Sequence, residues 1–297
     1  MKRAIFLHPM SVLKGRWYNK EFRVIEPLGT GGTASIYLVR EIPTDREYAL
    51  KVSRDMTGIN SEYRALSRLA HLPYIPRAYC RDDLTIEGEV CYFFCMSYFN
   101  GKNLKNLFAE SKMSPKTALR ITAVICRIIE LINRYNLYYC DIKPENIMFD
   151  GKTGNICIVD FGGIVEKGDA IMQFTPGFDR AGWGMGNRTA DEGYQVFAVL
   201  MMLLGLLLGD IESCGKDFDR LKARVNNSQL SKCLKKVIIE GLEQGSPSLE
   251  GLAADLAGAA RKYCGEKRYA RQRIDILIDI GLMLAVAVFV AVLIVVI

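Results

Sequence analysis

Residues 140–146 read CDIKPEN, and residues 160–162 read DFG after the apolar run NICIV. The first stretch follows residues 115–135, where apolar side chains recur at helical spacing. Further upstream lie a glycine-rich turn, LGTGGTASI at residues 28–36, and Lys51 inside the apolar strand YALKVS. Each feature alone is common in proteins. The set in this order is highly specific, and it decides the fold.

The glycine-rich turn and Lys51 both suit a phosphate ligand. Glycines between two strands let backbone N–H groups close over phosphates that side chains would exclude. A strand rather than a helix follows, so the turn is not a dinucleotide-binding fingerprint, and on its own such a turn is more often only a turn. Lys51 in an apolar strand needs a phosphate or a carboxylate partner. Glu62, early on the next predicted helix, can supply the carboxylate.

Together these motifs resemble the eukaryotic-like protein kinase superfamily over roughly residues 20–260. In that family a strand lysine pairs with the α/β-phosphates of ATP and with a helix glutamate, and a catalytic-loop aspartate accepts the proton of the substrate hydroxyl. The resemblance implies these roles for Lys51, Glu62 and Asp141. Lys143 is typical of the Ser/Thr branch, where it steadies the γ-phosphate.

The resemblance implies ATP and Mg²⁺ as cofactors. Asn146 and Asp160 match the two metal ligands of the family, since carboxamide and carboxylate oxygens suit a hard cation. The run FFCMSYF resembles the hinge that meets adenine through backbone atoms, with Met96 as gatekeeper. The residues implied to bind ATP are Leu28, Gly29, Thr30, Gly31, Gly32, Thr33, Ala34, Ile36, Lys51, Met96, Ser97 and Phe99.

The expected fold class is α+β, a bilobal kinase fold with a β-rich N-lobe at residues 20–99 and a helical C-lobe at residues 100–260. Short alternating segments come first along the chain and amphipathic segments second, which agrees with this order. Residues 1–19 are expected to form an N-terminal extension. The predicted helices cover residues 61–70, 115–135, 192–208, 228–243 and 248–263.

The last eighteen residues, 280–297, carry no charged or polar side chain and would span roughly 27 Å as a helix. They predict one C-terminal transmembrane helix; the alternative is a buried core helix, which rarely lacks a polar face. The basic juxtamembrane segment, 261–279, places its side in the cytosol, so the catalytic domain is expected to be cytosolic. Because the helix ends the sequence, no external sensor domain is expected, and the resemblance then implies a membrane-anchored kinase of the bacterial type. Residues 261–273 either contact anionic lipid or form a solvated helix end.

Composition and charge limit the other classes of function. Half of the 297 residues are hydrophobic and 24% are charged, as in a globular protein. Of the net charge of +6, +3 lies in residues 261–297, where six Lys or Arg face three Asp or Glu, so the remainder is nearly neutral. Nucleic-acid binding is therefore not expected. The nine cysteines lack CxxC spacing, which favours reduced thiols in a cytosolic domain.

Two departures from the family pattern concern regulation. The family's His-Arg-Asp reads Tyr139-Cys140-Asp141, so a thiol replaces the arginine that binds a phosphorylated activation loop. Residues 163–174, GIVEKGDAIMQF, contain no Ser, Thr or Tyr. These two absences predict a kinase that is not switched on by loop phosphorylation. The run TPGF at residues 175–178 resembles the substrate-facing segment whose Thr contacts the catalytic Asp and Lys, so Thr175 is interpreted as structural.

A third departure concerns peptide docking. No Ala-Pro-Glu follows Phe178, and its usual arginine partner is not evident around residues 240–250. The sequence therefore does not predict the usual peptide-docking surface of the family. The acid that anchors the next helix is either Asp191 or Glu192.

The expected function is transfer of the ATP γ-phosphoryl group to Ser or Thr hydroxyls of protein substrates at the cytosolic membrane surface. The main alternative is a pseudokinase that acts as a membrane signalling scaffold. Small-molecule kinases of the aminoglycoside or choline type usually lack the lysine found at Lys143, and a membrane adaptor would use only the tail. The intact set of chemical residues favours an active protein kinase: Lys51, Glu62, Asp141, Asn146 and Asp160.

Overall fold

The computed structural model describes residues 5–110, 114–244 and 248–262. The chain divides into two compact units, the first ending at Asn100 and the second beginning at Gly101. Strands dominate the first unit and helices the second, which agrees with the predicted fold class. The predicted transmembrane helix, residues 280–297, and the juxtamembrane segment beyond Lys262 lie outside the described residues. Within the described ranges, no helix has both the length and the apolar character needed to cross a membrane.

The first unit is a six-stranded antiparallel sheet with one helix. Its elements are β1 (Val12–Lys14), β2 (Glu21–Thr30), β3 (Ala34–Glu41), β4 (Glu47–Ser53), α1 (Met56–Arg68), β5 (Ala78–Ile86) and β6 (Glu89–Ser97). The strand order is β1-β2-β3-β4-β6-β5, and α1 packs on β4, β5 and β6. Helix α1 begins five residues before the predicted start at residue 61, because the side chain of Asp55 caps it.

Residues 5–20 contribute three side chains to the core of this sheet. Ile5, Leu7 and Leu13 are buried in the same apolar cluster as the side chains of β2, β3, β4 and β6. After β1, the Arg16 N–H donates to the Asp83 carbonyl on β5 at 3.0 Å, which links the two edges of the sheet. Within the segment expected as an N-terminal extension, β1 therefore forms one edge strand of the sheet and Arg16 contacts the other, β5.

The second unit consists of helices and short strands. The helices are α2 (Leu104–Glu110), α3 (Pro115–Asn133), α4 (Glu192–Leu208), α5 (Phe218–Asn227), α6 (Lys232–Gln244) and α7 (Leu249–Lys262). The strands are β7 (Lys102–Asn103), β8 (Leu137–Tyr139), β9 (Ile147–Phe149), β10 (Ile156–Ile158) and β11 (Ile164–Glu166), in two small sheets of order β10-β9-β7 and β11-β8. The prediction missed α5 and started α6 four residues early, because Asp217 caps a separate helix before it.

Helices α3, α4 and α7 pack together and form the interior of the second unit. Helix α4 is apolar on all sides, and every residue from Tyr194 to Leu204 is buried, as expected for a helix surrounded by others. Asp191 caps α4 by accepting the Tyr194 N–H at 2.6 Å, whereas Glu192 Oε1 accepts the Leu249 N–H at the start of α7. Of the two predicted candidates, Asp191 therefore anchors the start of this helix.

Candidate active site

In the first unit, Lys51 on β4 and Glu62 on α1 form an ion pair. The Lys51 Nζ lies 2.6 Å from Glu62 Oε2, and the two side chains are only 10% and 3% exposed. The orientation of α1 is set at its start, where Asp55 accepts the Thr57 N–H at 3.1 Å. Because a buried charge without a partner is costly, this pair fixes where the Lys51 ammonium lies on the sheet.

The glycine-rich turn connects β2 and β3 and is exposed over residues 26–33. The Gly31 N–H donates to the Ala34 carbonyl at 2.8 Å and closes the turn. A Cβ at Gly29 or Gly32 would meet no atom within 4 Å, and neither residue has a positive φ. Neither packing nor backbone strain within the chain requires glycine there. The other predicted ATP-binding residues on this hairpin are Leu28, Thr30, Thr33 and Ile36.

The predicted hinge lies at the end of β6. Met96 is buried and in register with Ala49 of β4. The Ser97 N–H donates to the Arg77 carbonyl at 2.9 Å, and the Arg77 N–H donates to Ser97 Oγ at 3.0 Å. Phe99 is half-buried just beyond the strand. The end of β6 is thus held firmly before the chain leaves the sheet.

In the second unit, Asp141, Lys143 and Thr175 form a closed triangle of polar contacts. The Thr175 hydroxyl donates to Asp141 Oδ1 at 2.7 Å, and Lys143 Nζ lies 2.7 Å from Asp141 Oδ2. Lys143 Nζ also donates to Thr175 Oγ1 at 3.1 Å. Asp141 is 2% exposed. Thr175 therefore lies where the family resemblance implies, in contact with both the Asp and the Lys.

Asn146 and Asp160, the predicted metal ligands, lie at the same end of the β9–β10 hairpin. The Val159 N–H donates to the Asn146 carbonyl at 2.9 Å. The Asn146 Nδ2 donates to the Asp141 carbonyl at 2.9 Å and to Asp141 Oδ2 at 3.3 Å, which leaves its Oδ1 to bind a cation. Asp160 has a left-handed backbone, φ 62°, and its Oδ1 accepts the Gly162 N–H at 3.4 Å.

This donor set fits Mg²⁺ bound partly by phosphate. No group of three or more His, Cys, Asp or Glu within residues 5–110, 114–244 and 248–262 could hold a metal by itself. Mg²⁺ in phosphate-transfer sites is usually bound by one or two protein oxygens together with substrate phosphates and water. One amide oxygen and one carboxylate are enough for that arrangement.

Two residues that sequence reasoning did not assign to the site support Asp160 and Asp141. The Tyr139 hydroxyl donates to the Val159 carbonyl at 3.0 Å, and its ring lies 5.4 Å from that of Phe161. A Cβ at Gly163 would come within 2.8 Å of the Asp141 Cβ. In the sequence, Tyr139 stands out only as a departure from the family's histidine. Gly163 carried no signal beyond its place after the DFG run.

A buried carboxylate after the TPGF run was also missed. Asp179 is 1% exposed and accepts from Arg188 Nη2 at 2.6 Å, Arg188 Nε at 3.1 Å, the Tyr194 hydroxyl at 3.1 Å and the Gly182 N–H at 3.0 Å. Burial acts to raise the pKa of Asp179, but the hydrogen bonds and charge of Arg188 outweigh it, and the pKa is lowered. Asp179 is therefore ionised at neutral pH.

Cys140 lies in an apolar environment. It is buried in a cluster with Tyr138, Ile171, Ala190 and Tyr194. Burial, assisted by neighbouring carboxylates, raises the pKa of Cys140 to about 12. The thiol is neutral at pH 7, so it contacts the segment around Ile171 by packing and not by charge.

Comparison with known protein families shows the family of this chain. The model of the protein kinase domain matches residues 22–249, which is most of the chain. The chain belongs to the protein kinase domain family. The predicted resemblance is confirmed at this level, and the family in general uses ATP and a divalent metal.

Among curated proteins, the kinase domain is similar to the serine/threonine-protein kinase YabT of Bacillus subtilis, with 26% identity over 89% of this chain and 79% of the relative. It is 29% identical to the serine/threonine-protein kinase PrkC of the same organism over 69% of this chain. It is 32% identical to the cAMP-dependent protein kinase type 3 of Saccharomyces cerevisiae over half of this chain. The matches cover only 33% of PrkC and 38% of the yeast kinase.

Proposed function

We propose that this kinase domain transfers the γ-phosphoryl group of ATP to Ser or Thr hydroxyls of protein substrates. The observation that carries the proposal is the contact of the Thr175 hydroxyl with Asp141 Oδ1 at 2.7 Å beside Lys143. In this contact Asp141 accepts a hydrogen bond from an aliphatic hydroxyl that also lies 3.1 Å from the Lys143 ammonium. A substrate Ser or Thr presents the same group.

In the proposed reaction Asp141 orients the substrate hydroxyl and accepts its proton. The hydroxyl oxygen forms a bond to the γ-phosphorus of ATP, the bond from that phosphorus to the β–γ bridging oxygen breaks, and ADP leaves. Lys143, held on Asp141 Oδ2, offsets negative charge on the transferred group. Because Asn146 donates to both the backbone and the side chain of Asp141, it also fixes the position of the base.

The other predicted residues would bind ATP and its metal. Lys51, oriented by Glu62, would bind the α- and β-phosphates, and the exposed glycine turn would cover them with backbone N–H groups. Asn146 Oδ1 and the Asp160 carboxylate would hold Mg²⁺, which neutralises phosphate charge when bound. The backbone of Ser97 and Phe99 beside Met96 would face adenine.

Specificity for Ser and Thr is supported by two observations. Lys143 occupies the position typical of the Ser/Thr branch, and YabT and PrkC are both named serine/threonine-protein kinases.

We also propose that the domain acts at the cytosolic surface of a membrane. The support comes from the sequence alone: the apolar residues 280–297 are long enough to cross a bilayer, and the basic residues within 261–273 precede them. A bilayer would thus be one partner of the chain, and anionic lipid would meet the basic segment.

The test is transfer of labelled phosphate from Mg²⁺-ATP to casein by the full chain, purified in detergent. Asp141→Asn and Lys51→Met should each reduce incorporation by about a thousandfold, as expected for loss of a base or a phosphate ligand. Lys236→Met is the matched control, because Lys236 is 73% exposed on α6 and should leave the rate unchanged.

Acid hydrolysis of the product should release phosphoserine and phosphothreonine. Incorporation that survives Asp141→Asn would contradict the proposal. Binding of ATP without any incorporation would instead favour the pseudokinase scaffold, and transfer to aminoglycosides or choline but not to casein would favour a small-molecule kinase.

A further inference from the structure

The activation segment, Ile164 to Phe178, places Thr175 in contact with Asp141. It does so without the contact between a phosphorylated residue and the catalytic-loop arginine that the family usually has. Cys140 stands where the family has an arginine and is neutral at pH 7, since burial raises its pKa to about 12. Residues 163–174 contain no hydroxyl group. The ordered position of Thr175 therefore has another physical cause.

Part of that cause is a backbone contact with the segment Arg188–Ala190. The Gly168 N–H donates to the Ala190 carbonyl at 2.9 Å, and the Ala190 N–H donates to the Asp169 carbonyl at 2.8 Å. The Ile171 N–H donates to the Arg188 carbonyl at 3.1 Å. The two stretches are thus joined as a short antiparallel bridge, which holds the first half of the activation segment.

The side chain of Arg188 holds the second half, on both sides of Thr175. Its guanidinium lies 4.0 Å from the centre of the Phe174 ring, a cation–π contact with the residue directly before Thr175. The same guanidinium donates two hydrogen bonds to Asp179, four residues after Thr175. Asp179 is in turn tied to α4 by the Tyr194 hydroxyl at 3.1 Å.

An apolar contact completes the attachment. Ile171 is buried against Cys140, Ala190 and Tyr194. The residue next to the catalytic Asp141 therefore packs directly on the activation segment. Side chains from the catalytic loop, from Arg188–Ala190 and from α4 all meet at this cluster.

We propose that Arg188 is a positioning residue for phosphoryl transfer: through Asp179 and Phe174 it holds Thr175 on Asp141 permanently, so that the activation segment is ordered without phosphorylation. The inference rests on the proposed function and deepens it. Asp179 supplies from within the chain the negative charge that a phosphate would otherwise bring, and Arg188 replaces the arginine missing at Cys140. A guanidinium suits both contacts, because it binds a carboxylate with two donors and stacks on a ring at once.

The test uses the full chain with Arg188→Ala and Arg188→Lys. Arg188→Ala should lower kcat for casein at least tenfold, while the Kd for ATP stays within twofold of wild type. Arg188→Lys keeps a positive charge beside Asp179 but loses the second hydrogen-bond donor and the stacking on Phe174. Its kcat should therefore lie between those of Arg188→Ala and wild type. Arg220→Ala is the matched control, because Arg220 is 73% exposed and pairs with Asp217 at the surface.

A second measurement is independent of catalysis. Hydrogen exchange over residues 168–178 should be at least tenfold faster in Arg188→Ala than in wild type, and intermediate in Arg188→Lys, while α3 keeps its protection. Complete dephosphorylation of the wild-type chain by a phosphatase should leave kcat unchanged.

Each outcome of these experiments either supports or overturns the inference. If wild type transfers no phosphate in an Asp141-dependent way, the proposed function fails while the exchange experiment still reports on Arg188. The inference is overturned if exchange over residues 168–178 is unchanged in Arg188→Ala, or if phosphatase treatment abolishes activity. It is also overturned if ATP affinity falls together with kcat in both Arg188 variants while the protein stays folded, since the effect of Arg188 would then not be confined to the activation segment.

Discussion

Gly163 limits the space around Asp141. A Cβ at this position would lie 2.8 Å from the Asp141 Cβ, closer than two carbon atoms approach without displacement, and 3.2 Å from the Asp141 backbone nitrogen. The Gly163 carbonyl also accepts the Cys140 N–H at 3.2 Å, so the two chain segments cannot separate freely. An added methyl group must therefore displace the catalytic aspartate or the Gly163 backbone beside it.

We expect Gly163→Ala to lower kcat by about 10- to 100-fold, because a displacement on the order of 1 Å at a reacting group has effects of this size. The measurement is steady-state transfer to casein. Gly151→Ala is the control, since a Cβ at Gly151 meets nothing within 4 Å. Equal kcat for Gly163→Ala and wild type would contradict the packing argument.

The thiols of Cys140 and Cys233 should react very differently. Burial raises the pKa of Cys140 to about 12, so the thiol is neutral at pH 7, whereas the thiolate is the reactive form. Cys233 is exposed. Brief treatment of the native chain with iodoacetamide should modify Cys233 and spare Cys140, as read by peptide mass spectrometry. Rapid labelling of Cys140 in folded protein would show that its cluster opens readily.

Single residues were predictable where a motif contains them. Lys51, Glu62, Asp141 and Thr175 stand at motif positions, and the structure brings Lys51 to Glu62 and Thr175 to Asp141. Their chemical roles remain predictions. Tyr139, Gly163 and Arg188 could not be assigned, because each acts through a contact that no local pattern specifies.

At the scale of elements, the turn after β1 depends on one carboxylate. Asp82 on β5 is buried and accepts the N–H groups of Trp17 at 3.2 Å and Tyr18 at 3.0 Å. A Cβ at Gly15 would overlap the same carboxylate at 2.3 Å. The turn and the β5 strand are thus fitted to each other across the two edges of the sheet.

Removal of that carboxylate should destabilise the first unit. We expect Asp82→Ala to lower the free energy of unfolding by about 1–3 kcal/mol, because the partly buried N–H groups of Trp17 and Tyr18 lose their carboxylate acceptor. Urea denaturation followed by tryptophan fluorescence would measure it. Asp255→Ala, at an exposed position on α7, is the control and should change stability by less than about 0.5 kcal/mol. The same small change for Asp82→Ala would show that water replaces the carboxylate.

Elements were predictable where periodicity is long. Helices α3, α4 and α7 were predicted within two residues at each end, because α3 and α7 carry apolar stripes over several turns and α4 is a long apolar run. The start of α1 was wrong, because Asp55 begins the helix before its apolar pattern appears. Strand β1 has three residues, too few for a recognisable alternation, and it exists only through pairing with β2.

At the scale of the whole molecule, the order of strands and helices followed from the sequence, whereas the membrane location remains a prediction. In cells that express the full chain, we expect it in the membrane fraction, resistant to extraction by alkaline carbonate. A chain that ends after Asp279 should become extractable, since only the basic segment could then hold it. Recovery of the full chain in the soluble fraction would contradict a transmembrane helix at residues 280–297.

The negative charge of Asp179 differs from that of a phosphate, because Asp179 is incorporated during translation and no phosphatase can remove its carboxylate. On the proposed arrangement, each copy of the chain is complete as soon as it has folded. The output of the kinase would then be set by how many copies the cell makes, how long they last and where they are placed. Synthesis and degradation of the protein would then control when the kinase is active.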